Sequence, residues 1–121
     1  MNFTVIMGRL TSNPELKTSQ SGTTFLPFTV AVDREYSKEK QTDFINCIAF
    51  SKTAEFISKF FGKGKLIAIE GRLQTRKYED NTGNKRTVTE VIVNKAHFTG
   101  EKAAKVEAVE IEFDSSNDLP F

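Results

Sequence analysis

The sequence predicts an all-β domain with one short helix, and three observations predict it. Five stretches are rich in β-branched and aromatic residues and read as strands. Clusters of Gly, Pro, Asn, Asp and Ser separate them. A single stretch, between the third and fourth strands, spaces its apolar residues as a helix does. With 121 residues, 38% apolar side chains, eleven Phe and no Trp, the chain can build one modest core, so one domain is expected.

The first strand runs from Phe3 to Leu10 and stops at SNPEL, where Pro14 supplies a turn. After the turn SQSG comes TTFLPFTVAVD, a long strand broken by Pro27. Proline donates no ladder hydrogen bond, so an edge or bulge is expected there. REYSKEKQ, residues 34–41, is charged and reads as an exposed hairpin loop. In the third strand, TDFINCIAF, Ile45, Cys47 and Ala49 point one way and Phe44, Asn46, Ile48 and Phe50 the other.

SKTAEFISKFFGKG then sets Ala54, Ile57 and Phe61 on one helical face, with Phe56 and Phe60 close by. Ser51 is the expected N-cap, Glu55 is expected near the positive end of the helix dipole, and Gly62 is expected to close the helix in a left-handed conformation. The fourth strand, LIAIEGRLQTRKYE, directs Ile67, Ile69, Gly71 and Leu73 toward the core. Its other face is a basic stripe, Arg72 and Arg76, that ends in Tyr78. DNTGN turns the chain into the last strand, KRTVTEVIVNKAHF. The order β-β-β-α-β-β is that of the OB-fold, a five-stranded, partly open Greek-key barrel with its helix between strands 3 and 4.

Charge divides the chain near Gly100. Residues 1–100 hold 15 Lys and Arg against 10 Asp and Glu, and residues 101–121 hold 2 against 6. A basic body joined to an acidic tail points to nucleic-acid binding with an interaction segment. The expected organisation is therefore a domain over 1–100 and a flexible acidic tail over 101–121. The lone Cys47 excludes an internal disulfide, no signal-peptide pattern opens the chain, and no apolar run approaches the roughly 20 residues of a membrane span. A cytoplasmic location with no membrane partner is expected.

Catalysis finds little support. His97 has no metal-ligand spacing around it, Cys47 falls on the core face, and GKGK at 62–65 follows a helix instead of opening one, unlike a phosphate loop. No catalytic residue, metal or cofactor is expected, and the protein reads as a non-enzyme. Single-stranded nucleic acid instead asks for aromatic rings under its bases and cations along its backbone. Tyr36, in a loop with Arg34, Lys38 and Lys40, joins Phe44, Phe50 and Tyr78 as the stacking candidates. Phe44 stays open between base stacking and subunit packing. The basic candidates are Arg34, Lys52, Arg72, Arg76, Lys77, Lys85 and Arg86.

MGRLTSNPELK, TDFINCIAFSKTAE, FFGKGKLIAIEGRLQTRKYED and TEVIV, with the closing DLPF, resemble the bacterial and phage single-stranded DNA-binding (SSB) family. The resemblance implies an OB-fold, homotetrameric assembly, and DNA wrapped over aromatic and basic surface, with family stacking aromatics falling on Tyr36, Phe44, Phe50 and Tyr78. It also implies that Asp118, Leu119, Pro120 and Phe121 form a tip that docks on replication, recombination and repair enzymes, the Phe121 ring entering an apolar pocket. The location implied is the bacterial cytoplasm or nucleoid, or the host cytoplasm for a phage protein. Three features depart from the family pattern: no Trp stands at a stacking site, the tip NDLPF has fewer acids than the usual form, and the tail is short, without the long Gly- and Gln-rich linker of many members. Two other readings remain, a primosome-type OB adaptor whose tail is the main activity and an RNA-binding OB protein.

Overall fold

The computed structural model describes residues 1–36 and 38–100, and the predicted tail over 101–121 lies outside them. The elements are β1 (Thr4–Leu10), β2 (Lys17–Thr18), β3 (Thr24–Asp33), β4 (Thr42–Phe50), α1 (Ser51–Phe60), β5 (Leu66–Glu79) and β6 (Lys85–His97). The five expected strands are all present, and the two-residue β2 is an addition, pairing with the start of β3. The sheet runs β1-β5-β6-β4-β3-β2. It curls until Arg9 and Leu10 of β1 reach Ala31 and Val30 of β3, which closes the OB-fold barrel in part. Pro27 lies on β3 between its pairings to β2 and to β1, where one side of the strand is open, as a residue without an N–H requires.

Alternation fills the barrel. Leu26, Phe28 and Val30 from β3, Cys47 and Ala49 from β4, Ile67 and Ile69 from β5, and Val91 and Val93 from β6 point inward and are buried. Burial pushes the Cys47 thiol up to about 12, so it packs as a small neutral hydrophobe. Helix α1 plugs one end through Ala54 and Ile57, and Phe61 follows it into the core. Phe98 stacks on Phe61 with centroids 5.3 Å apart and meets Phe56 edge-on at 5.4 Å, which ties the end of the last strand to the helix.

Both helix ends differ from expectation. Phe50, extended, is the N-cap; no side chain caps the helix, and Ser51 instead turns the corner with φ 54°. The sharp exit from β4 forces that conformation, which leaves the Ser51 hydroxyl unable to play a cap's part. No acidic residue falls in the first turn, so Glu55 sits too far along to complement the dipole. At the other end Phe61 is extended, because its ring is drawn into the core, and the left-handed residue is Gly64, φ 83°. The turn after the helix is held by Asn13, whose Oδ1 accepts from the Lys63 N–H at 2.8 Å, and by the Gly64 N–H donating to the Leu10 carbonyl at 2.8 Å.

β5 and β6 outrun the barrel. Beyond Gly71 every residue of β5 is exposed, including Leu73, which the alternation had assigned to the core. Leu73 keeps the inward parity, opposite buried Val91, but lies at the barrel's rim, where half of it stays exposed. Asn2 reaches across to its backbone, donating to the Leu73 carbonyl at 2.8 Å and accepting from its N–H at 3.0 Å.

Closure depends on Gly8. A Cβ there would run into the Ala31 carbonyl and come within 2.7 Å of Val30 and 2.9 Å of Val32. Gly8→Ala should therefore force β1 off β3 and lower stability by about 1–3 kcal/mol, read from the midpoint of urea denaturation. An unchanged midpoint would mean that β1 closes the barrel more loosely than its register implies.

Candidate nucleic-acid interface

Register alone assembles the site. On β3, Phe25, Pro27 and Thr29 have the outward parity, and they pair with Phe50, Ile48 and Asn46 of β4, with Phe44 next along. Ile48 is the parallel partner of Ile92 on β6, which carries the same face to Glu90, Val88 and Arg86. Those residues pair in turn with Arg72, Gln74, Arg76 and Tyr78 of β5. One outer face therefore runs unbroken across four strands. It holds three of the four predicted stacking residues and three of the seven predicted cations.

The aromatic members are accessible. Phe44 and Tyr78 are 67% and 46% exposed, and Phe50 is 41% exposed beside its partner Phe25. Tyr36 is fully exposed in the β3–β4 loop with φ 63°, off the strands and therefore not fixed by their register. Lys77 and Lys85 have the opposite parity on the hairpin, along with Thr87 and Thr89, and Lys52 lies on α1 near Asn94 and His97. The structure thus gathers Phe44, Phe50, Tyr78, Arg72, Arg76 and Arg86 and leaves the other predicted residues around them.

Several of the cations are already paired. Arg34 closes the base of its hairpin with bonds of 2.8–3.0 Å to Asp43 and one of 2.7 Å to Gln41. The bond from Arg34 holds the Asp43 carboxyl below its usual range. Arg76 donates to Glu90 at 3.1 Å and Arg86 to Asp80 at 2.9 Å. Arg72, Lys77 and Lys85 have no carboxylate within ion-pair range among the described residues. His97 Nε2 lies 2.6 Å from Glu70 Oε2, and no metal-ligand cluster occurs among the described residues.

A groove of about 460 Å³ lies in this face; its apolar lining includes Phe25, Pro27 and Ile48, and its polar lining includes Ser12, Thr29, Asn46, Arg76 and Glu90. Phe25 and Glu90 were missed from the sequence. Phe25 was legible, because alternation about Leu26 and Phe28 sends it outward with Pro27. The only signal for Glu90 was an acid standing inside the apolar run of TEVIV.

An OB-fold whose outer sheet face couples exposed aromatic rings to arginines has the form of a module that holds an extended polymer. The chain matches the Single-strand binding protein family over residues 1–99, and it belongs to that family. It is similar to the single-stranded DNA-binding protein of Fusobacterium nucleatum, 50% identical over 103 residues, 81% of this chain and 66% of that protein. It is also similar to single-stranded DNA-binding protein 1 of Staphylococcus aureus, 46% identical over 101 residues, 81% of this chain and 65% of that protein. A Listeria monocytogenes protein, single-stranded DNA-binding protein 2, is 41% identical over 110 residues, 88% of this chain and 69% of its own length. The chain thus spans slightly less than two thirds of the staphylococcal relative.

The hairpin tip that carries Tyr78 and Arg86 is held by Asp80. Its carboxylate accepts from the N–H groups of Thr82 and Asn84 at 3.0 and 2.9 Å, from the Thr82 hydroxyl at 2.7 Å and from Arg86. These bonds, that from Arg86 first, bring the Asp80 carboxyl from 3.8 down to about 2. A value lowered on folding means that the ionised group supports the turn fully above about pH 4 and that this support is lost as pH falls through about 2. The amide signals of Thr82 and Asn84 should titrate together with a midpoint near 2, and Asp80→Asn should abolish that titration. A midpoint at the ordinary 3.8 would show that the bonds do not hold in solution.

Proposed function

We propose that this protein is a non-enzymatic, sequence-tolerant single-stranded DNA-binding protein. In this reading it coats exposed strands during replication, recombination and repair and recruits partner enzymes through the acidic tail over 101–121. The observation that carries the reading is the four-strand face, which sets Phe44, Phe50 and Tyr78 among Arg72, Arg76 and Arg86. Stacking on rings tolerates any base, and arginines follow the phosphates, so the face recognises a strand without reading its order. Family membership and the names of its relatives support the same reading.

Self-association belongs to the proposal. Phe3, Val5 and Met7 form an exposed apolar row, Val5 and Met7 at 62% and 56%, on a strand that meets β3 only at Arg9 and Leu10. The rest of that edge carries unpaired backbone groups, and a second copy adding its own β1 would cover both edge and row. We take a homotetramer as the assembly.

Tyr78→Ala and Phe50→Ala should each weaken binding of labelled oligo-thymidine by about 1–3 kcal/mol per base stacked, measured by anisotropy at several salt concentrations. Deleting Asp118 to Phe121 should leave that affinity intact and remove binding to replication and repair enzymes. Loss of strand binding by a folded tail-deleted protein, or its retention in the aromatic variants, would refute this division. Val5→Arg should shift the protein to smaller species in sedimentation velocity, whereas an unchanged sedimentation coefficient would move the subunit contact away from β1.

A further inference from the structure

Glu90 is the one buried charged residue among the described residues, 8% exposed, in a groove where apolar side chains such as Phe25, Pro27 and Ile48 alternate with polar ones. Its Oε2 accepts from Arg76 Nε at 3.1 Å, while Oε1 accepts nothing from the described residues. A buried carboxylate oxygen without a donor is costly to keep, so a ligand that brings an N–H gains where water would serve poorly. Asn46, in the same groove, takes the Thr29 hydroxyl on its Oδ1 at 3.2 Å, which leaves its amide hydrogens as donors. An acceptor and a donor thus share a slot that Phe25, Pro27 and Ile48 make apolar, with Arg76, more than half exposed, at its rim.

We propose that this groove is a base-edge subsite, in which one nucleobase inserts so that its Watson–Crick edge donates to Glu90 and accepts from Asn46. The proposal rests on the single-stranded DNA reading and deepens it. Each of the four bases carries at least one N–H donor on that edge with an acceptor beside it, so the contact is indifferent to sequence. In a duplex the same edge is spent on pairing. The subsite therefore senses strandedness, a property that stacking and phosphate contacts supply only indirectly. The negative charge of Glu90 also repels phosphate from the groove while Arg76 at the rim attracts it, which fixes the strand with bases inward and backbone outward.

The test compares oligo-thymidine with the same strand built from N3-methylthymidine, which keeps the ring and the backbone and loses the edge donor. The native protein should bind the methylated strand about tenfold more weakly, the scale of a hydrogen bond to a charged acceptor. Glu90→Gln is isosteric; its amide oxygen stays with Arg76 and its NH2 then faces the groove, so the variant should bind both strands within about twofold of each other. Asn46→Ala, at an exposed position, removes the donor to the base's acceptor, so it should weaken binding of the unmodified strand severalfold, and it serves if the first variant fails to fold. Equal binding of the two strands by native protein overturns the subsite, as does full discrimination by folded Glu90→Gln protein or an unchanged oligo-thymidine affinity of the Asn46→Ala variant. Failure of native protein to bind even unmodified oligo-thymidine overturns the DNA-binding reading beneath it, and is thereby told apart.

Discussion

The surface depends on a short parallel junction, Cys47 to Val91 and Ile48 to Ile92, where β4 meets β6. On one side of it lies the β3–β4 hairpin and on the other the β5–β6 hairpin, each internally registered by its own antiparallel ladder. On this face the junction sets how the two relate, while β1, paired with both β5 and β3, ties them at the other edge. Because side chains alternate with period two, a slip of one residue would carry Glu90 into the core and turn Val91 and Val93 outward. Three fully or nearly buried valine and cysteine side chains thus enforce the polar surface on the opposite face of their strands.

The barrel and the interface place different demands on the same two long strands. Up to Gly71, β5 serves the core; beyond it, every β5 side chain is exposed, while its β6 partners stay buried as far as Glu90. A two-stranded ribbon is marginally stable alone in water. Here its tip is organised by Asp80 and Arg86, its base by Asn2 on Leu73, and its outer face by Arg76 on Glu90. The arginines expected to meet phosphate are therefore partly structural. A strand that takes over Arg76 or Arg86 must compete with a carboxylate, so the free positive charge of the face is smaller than a count of cations suggests, and salt sensitivity should follow phosphates actually gained.

Most of this was legible in the sequence. Alternation gave the faces of β4 and β5, helical spacing gave Ala54, Ile57 and Phe61, and Gly, Pro and Asn clusters gave the turns. What failed was local chemistry overruled by distant packing. Ser51 has the composition of a cap, yet the corner out of β4 decides its backbone. Leu73 has the right parity for the core, yet the barrel ends before it. Pairings between residues far apart in sequence, Arg76 with Glu90 and Phe25 with Phe50, have no local signature at all, because they exist only once register is set.

Glu90 shows why such a pairing matters for function. An acid inside an apolar strand costs stability unless it is paired, and a single bond from Arg76 satisfies one oxygen of two. A purely structural ion pair would be improved by a second donor or replaced by apolar residues at no loss. Retaining a half-satisfied carboxylate in a groove open to an incoming strand instead stores an unmet acceptor at the place where a base edge arrives. The same feature that weakens the free protein then favours the bound one, and it does so only for a strand whose bases are not already paired.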